Sequence, residues 1–259
     1  MPTYFKGHVR RPDKDHLIAL SHAKHAMHLK SLGAIRQPPK WDSRTQGWVG
    51  PVKDQKACGS CWDFSGTGII EIAYNKVGIG GGANEFILSE EYSLSCYRNG
   101  QCKGDDNTTV LEWASAHGLP LTSAYGPYDA APEQCVFKPT MQLYGPTDWG
   151  FADSNGGNGV TPAQDIKAAI MQYGAVGCAV AADNAFMNHA GGSVFKGSGS
   201  TTIDHDVILV GWDDDSKSWI LRNSWGAAWC ENGYMRIAYN ANLVGTESVW
   251  AVKSPAAAG

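Results

Sequence analysis

Several things are missing from this chain, and each absence removes a class of function. No stretch is long and apolar enough to cross a membrane as a helix. The first residues, MPTYFKGHVRRPDKDH, lack the apolar core of a secretory signal, so a leader is expected to have been removed or to lie outside this chain. There is no basic excess: Lys and Arg number 21 against 25 Asp and Glu, the net charge is −4 and the pI is near 6.0. Neither a nucleic-acid partner nor a membrane partner is expected from such a balance. The glycine run Gly78, Gly80, Gly81 and Gly82 is not followed by Lys-Ser/Thr, which makes it a loop and not a phosphate cradle. Cys58 and Cys61 have no second well-spaced ligand pair for zinc. They also have no thioredoxin-like βαβ pattern to support a redox role. No metal and no cofactor is expected. His22, His25 and His28 have three-residue spacing, and a solvated helix face is the favoured account of them.

What is present is enough chain, 259 residues, for one large core or two modest ones. Ten Trp and 31 Gly indicate an ordered, loop-rich fold. Seven Cys is an odd number, so at least one thiol stays free. Four segments are expected. Residues 1–36 form an N-terminal arm, ending before the rigid Gln37-Pro38-Pro39. In it Asp15 caps a short helix with Leu17, Leu20, Ala23 and Met27 on one face and Gly33 as its stop. Residues 37–144 read as helical and Cys-rich, with helices over Phe64 to Val77 and Val110 to His117. Residues 145–253 read as β-rich, with strands over Val176 to Ala181, Asp206 to Trp212, Trp219 to Asn223, Tyr234 to Tyr239 and Val249 to Val252. One helix interrupts them, opened by a capping box at Thr161-Pro162-Ala163-Gln164 and stopped by Gly174. Residues 254–259 are an expected disordered tail.

The strongest local signal is Gln55-Lys56-Ala57-Cys58-Gly59-Ser60-Cys61-Trp62, leading straight into the Phe64 helix. A thiol at a helix N-terminus meets unpaired N–H groups and the positive end of the macrodipole, which lowers its pKa and makes it a nucleophile. Downstream stand Ile203-Asp204-His205, then Trp219-Ile220-Leu221-Arg222-Asn223-Ser224-Trp225-Gly226, then Trp229 and Glu231-Asn232-Gly233-Tyr234. Taken together, PVKDQKACGSCWDFS and these two later motifs resemble the papain-like cysteine peptidases, the papain and cathepsin family. His205 follows Cys61 by about 140 residues and Asn223 by about 160, close to that family's spacing. The resemblance runs from about Pro39 to Val252.

The resemblance implies an α+β fold: a helical left domain packed on an antiparallel, β-barrel-like right domain, with the active-site cleft between them. It implies that Cys61 is the nucleophile, that His205 is first general base and then acid, and that Asn223 orients His205. Gln55 and the Cys61 N–H would form the oxyanion hole. Trp225 would cover the Asn223–His205 contact. Gly104 and Asp105 would carry substrate backbone. Ala179, Ile203 and Asp204 would lie near the pocket for the side chain two before the scissile bond, and Ala179 and Ile203 imply an apolar preference there. It pairs Cys58 with Cys102 and Cys96 with Cys135, favouring an oxidising compartment: secreted, lysosomal or vacuolar, or periplasmic. Cys178 is an expected core thiol; whether it pairs with Cys230 stays open.

Expected partners are peptide or protein substrates and protein inhibitors, and the expected state is a monomer. Hydrolysis by endopeptidase action is favoured over acyl transfer by the same triad and over an inactive binding protein. Asp63, Asp105, Asp206 and Cys230 depart from the family pattern, and Asp63 and Asp206 would raise the pKa of His205 or the thiol if they face it. The arm would lie in the cleft as a short inhibitor or fold against the β half. Asn107-Thr108-Thr109 fits a glycosylation acceptor.

Overall fold

The computed structural model describes residues 3–21, 24, 36–97, 99–153 and 159–254. Residues 14–21 are helical (α1), followed by β1 (Lys40–Asp42), α2 (Cys61–Lys76), α3 (Glu90–Cys96), α4 (Asn107–His117) and α5 (Thr122–Tyr125). Then come β2 (Asp148–Phe151), α6 (Ala163–Tyr173), β3 (Val176–Val180), α7 (Asn184–Met187), β4 (His205–Asp213), β5 (Ser218–Arg222), β6 (Tyr234–Ala238) and β7 (Thr246–Val252). The seven strands make one antiparallel sheet in the order β2-β7-β3-β4-β5-β6. β1 and β3 lie end to end along the same edge of β4: β3 pairs with its first half, β1 with Gly211 to Asp213.

Strand alternation explains why β4 is central. Val207 and Leu209 point to one face and join a core made with Ile166, Ile170 and Cys178. Ile208 and Val210 point to the other face and join the core of Trp62, Ile69, Ile70 and Leu111. A strand buried on both faces reads as an unbroken apolar run, as VILVGW does. α2 covers the second face. All of its residues from Cys61 to Asn75 are buried, polar Asp63, Ser65, Thr67, Glu71 and Asn75 among them, and Lys76 in its last turn suits the helix dipole. α4 approaches it closely: a Cβ on Gly66 would fall 2.1 Å from Val110 Cγ1 and 2.8 Å from the Asn107 carbonyl oxygen. Disulfides Cys58–Cys102 and Cys96–Cys135 tie loops of the helical half, each stabilising by about 3–4 kcal/mol.

Five expectations change. Among the described residues the β half is an open sheet and not a closed barrel, its end strands β2 and β6 having no pairing with each other. β1, from the stretch read as helical, belongs to the sheet. At the 161–164 box the N-cap is Pro162 and carries no side-chain cap; Thr161 Oγ1 instead accepts from Ser248 N–H at 3.2 Å. In the arm the helix begins before Asp15, with Leu17 N–H bonded to the Asp13 carbonyl. It buries Ile18, which adjoins Leu17, and leaves Leu20 59% exposed. Ala23, Met27, Gly33 and the His22, His25 and His28 set lie outside the described residues. Asn107 is buried in the first turn of α4, beyond reach of a glycan.

Truncating Leu209→Ala is expected to cost about 2–5 kcal/mol and Leu20→Ala less than about 0.5 kcal/mol, read as the shift in urea midpoint of each variant.

Candidate active site

The packing of α2 on β4 places two chain ends together. Cys61 is the first residue of α2, His205 the first of β4, and the Asp206 backbone N–H points at the Cys61 sulfur. His205 Nε2–H donates to Asn223 Oδ1 at 2.8 Å, and Ser224 N–H donates to the same oxygen at 2.8 Å, which fixes the amide's orientation. The other ring nitrogen, Nδ1, is buried with no hydrogen-bond partner among the described residues, leaving its lone pair to receive a proton. Trp225 stacks on the imidazole, ring centres 4.4 Å apart, and shields the Asn223 contact. Gln55 is held by its oxygen, which accepts from Ser224 Oγ at 2.6 Å. Its amide N–H groups therefore face outward, donating to the carbonyls of Cys58 at 2.8 Å and Phe5 at 3.1 Å. A carbonyl oxygen thus sits on the amide from which an oxyanion donor is expected.

That carbonyl belongs to the arm. Tyr4 stacks on Trp225, whose indole N–H also donates to the Phe5 carbonyl at 3.0 Å. Gly7 N–H points at Cys61 Sγ at 3.2 Å. The backbone of residues 7–9 pairs in parallel with Asp105: Asp105 N–H reaches the Gly7 carbonyl, Val9 N–H the Asp105 carbonyl, both at 2.9 Å. Asp105 thus pairs with the arm through its backbone. Gly104 stands beside it against Gly7. Asp204 accepts His8 N–H on its carbonyl and pairs with Lys6 through its carboxylate at 2.5 Å. Ala179 is buried opposite Asp206 across β3 and β4, and Ile203 is half-buried. Gly7 has no substitute in this geometry, since a Cβ would lie 1.9 Å from the Gly59 carbonyl oxygen.

The charge states follow from this burial. Cys61 and His205 are both fully buried. Burial raises the Cys61 thiol pKa, and the Asp206 charge raises it further against the pull of the Asp206, Gly7 and Trp62 N–H groups. Burial lowers the His205 pKa to about 4, although the Asn223 bond favours the charged ring. With the arm in place the pair is neutral. The lowered thiol pKa expected of the helix N-terminus is overridden here by burial, which disfavours both ions. Asp206 does face the thiol. Asp63 does not: it accepts from Ser93 and Thr67 in the helical core, where burial raises its pKa well above the usual range.

Sequence alone did not single out Ser224, Asp106 or Glu247. Asp106 is legible as the N-cap of α4, but its second role, as an acceptor for Lys14 Nζ at 2.7 Å, is not. His8, Asp106 and Glu247 offer ligand atoms within 4.8 Å of one another, and the Lys14 ammonium already sits on Asp106 and Glu247 as the cation. Cys178 is a free core thiol pushed by burial up to about 12. Cys230 is also free, so the two do not pair; it adopts φ 45°, a left-handed conformation that glycine would hold without strain.

A nucleophile at a helix start, an imidazole at a strand start, an amide behind the imidazole and a carbonyl-binding amide in front define the class of thiol-dependent acyl-transfer sites. Comparison with known proteins makes this specific. The family described as "Papain family cysteine protease" matches residues 37–253. A cathepsin L-like peptidase of Aedes aegypti is 32% identical over 215 residues, covering 80% of this chain and 60% of that protein. Human cathepsin L2 is 32% identical over 220 residues, covering 79% and 62%. The chain thus spans about three fifths of the length of these curated relatives. Among solved structures, a Carica candamarcensis cysteine protease in complex with E-64 superposes with a TM-score of 0.71 at 30% identity, covering 84% of this chain and 99% of that one. Digestive procathepsin L 3 of Tenebrio molitor gives a TM-score of 0.74 at 25% identity, covering 85% and 72%. The chain belongs to the papain family of cysteine proteases.

Two outcomes are expected for the arm. Gly7→Val should expel residues 4–9 and raise the alkylation rate of Cys61 by about tenfold or more, followed by mass mapping. The second concerns pH. Burial lowers the His8 pKa, but the charge and hydrogen bond of Asp206 outweigh it and leave it above its ordinary 6.5. A raised docked pKa means that this contact contributes fully below the free value and is lost as pH rises through the docked one. The wild-type alkylation rate, divided by that of Gly7→Val to cancel thiol ionisation, should therefore climb toward one on the alkaline side.

Proposed function

We propose that this protein is a cysteine endopeptidase that hydrolyses peptide bonds through Cys61, and that residues 4–9 hold it inactive. The observation that carries the proposal is the Gln55 amide: tied back by Ser224 and by the Cys58 carbonyl, it presents an N–H to a peptide carbonyl, here that of Phe5. In the active form, without the arm, water re-enters and the thiol gives its proton to His205 Nδ1, with Asn223 holding the ring. The thiolate attacks the scissile carbonyl. Its oxygen becomes an anion received by Gln55 and the Cys61 N–H. His205 then protonates the leaving amine, and water releases the acyl group. Gly104, Asp105 and Asp204 support substrate binding because their backbone groups and neighbours already hold an extended segment, and Trp225 covers the ion pair.

The N-terminal arm is a short pro-segment in this reading. It is followed by a helical domain from 37 to 144 and a β-rich domain from 145 to 253, with the cleft between them. Two disulfides favour work in an oxidising compartment: outside the cell, in a lysosome or vacuole, or in a periplasm.

A chain starting at Gln37 is expected to cleave a fluorogenic peptide faster than the full chain; equal rates would remove the inhibitory role. Cys61→Ala should abolish both turnover and labelling by an epoxide thiol reagent. Gln55→Ala should lose about 10²–10³ in kcat, as for one oxyanion donor. Persistence of turnover in Cys61→Ala would overturn the assignment.

A further inference from the structure

A cluster of three carboxylates that the chemistry above leaves unused reaches the nucleophile through Asp206. Asp206, Asp106 and Glu247 are 1%, 0% and 6% exposed. Carboxylates gathered in one buried place repel one another when ionised and hold their charge only if cations pair with them; burial raises the Asp206 pKa, and the charge and hydrogen bond of His8 oppose that rise. Among the described residues every cation paired with them comes from the arm. His8 Nδ1 meets Asp206 Oδ2 at 2.9 Å. Lys14 Nζ meets Asp106 at 2.7 Å and Glu247 Oε2 at 3.0 Å, and Arg10 Nε meets Glu247 Oε1 at 2.5 Å. Asp206 Oδ1 remains buried with no hydrogen bond. The backbone is bent to build this place. Between Gly177 and Ala179 the β3–β7 register shifts, and Glu247 at that irregularity has φ 51°. A non-glycine residue held in the left-handed region costs stability, and bulges of this kind re-aim a side chain.

The position is next to the bond-making atom. Gly7 N–H faces the thiol, and the very next residue, His8, puts its side chain on Asp206. Asp206 lies opposite Ala179, in the wall assigned above to the side chain two before the scissile bond. We propose that this pocket selects Lys or Arg at that substrate position, the cationic side chain taking the places of His8 and Lys14 against Asp206, Asp106 and Glu247. This replaces the apolar preference expected from Ala179 and Ile203, and it rests on the peptidase reading. Those two supply the walls against which the methylene stem of Lys or Arg packs, while the carboxylates at the end receive the charge. When the arm leaves, the carboxylates lose all of these partners, so a cationic substrate restores what a neutral one would leave unpaired.

Two measurements on the full-length chain test the pocket. In the first, Cys61 alkylation by iodoacetamide, mapped by mass spectrometry, is compared in His8→Lys, His8→Arg and His8→Leu. The two cationic variants should keep the arm seated and label at nearly the wild-type rate, and His8→Leu should label about tenfold faster. Equal rates for His8→Lys and His8→Leu would overturn the proposal. In the second, Gly7→Val is given blocked peptide amides that differ only in Arg or Leu two before the scissile bond. The Arg peptide should have a kcat/KM about tenfold higher, and adding Glu247→Gln should shrink that ratio. A Leu peptide cleaved as well as the Arg peptide would also overturn it. If neither peptide is cleaved while the labelling order holds, the peptidase reading fails and the cation-selective pocket stands.

Discussion

The contact on which everything else depends is the laying of α2 across β4. A helix start and a strand start have no chemical relation until Ile208 and Val210 bury themselves among Trp62, Ile69 and Ile70. That apolar packing sets the thiol of Cys61 beside the first residues of β4. The opposite face of the same strand, through Val207 and Leu209, fixes it to the other half of the molecule. One strand with two dry faces is therefore the ruler for the site. Asn223, just past the end of β5, is brought to His205 because β5 pairs with β4 in register from Ile208–Arg222 onward.

On this frame the arm acts as a solvent substitute of the wrong kind. It satisfies the hydrogen-bonding groups of the cleft, giving the Phe5 carbonyl to Gln55 and Trp225 and the Gly7 N–H to the sulfur. It does not stabilise the separated charges that nucleophilic attack requires. The thiol is raised, the imidazole is lowered, and the pair rests in its neutral form. In the inhibited state proposed above, the same burial would withhold the ionised pair as well as bar substrate.

The three residues proposed for catalysis could be picked out in the sequence because each sits in a local motif with its own turn or strand start. Cys61, His205 and Asn223 follow one another at readable spacing, and the strands beyond Val176 announce themselves by apolar runs of the right length. Less was legible where a residue's partner is far away in sequence. β1 has only three residues and becomes a strand because β4 offers an unpaired edge at Gly211 to Asp213. Thr161 looks like a cap in its own window, yet the Ser248 N–H competes for its hydroxyl. The arm's seat is wholly of this kind. His8 meets Asp206 and Lys14 meets Glu247 across nearly the full length of the chain, and no period or propensity encodes such pairings. Gly7 is one glycine of 31 until its neighbour, the Gly59 carbonyl, is known.

The arm's charges have a consequence for the molecule as a colloid. Residues 1–36 carry Lys6, Arg10, Arg11, Lys14 and further basic side chains against only Asp13 and Asp15, inside a chain of net charge −4. The body beginning at residue 37 is therefore more anionic than the intact chain, and loss of the arm drops its isoelectric point below 6.0. Intact and shortened forms would part on an anion exchanger. The shortened form would be repelled by polyanionic surfaces and held near cationic ones, most strongly at low salt.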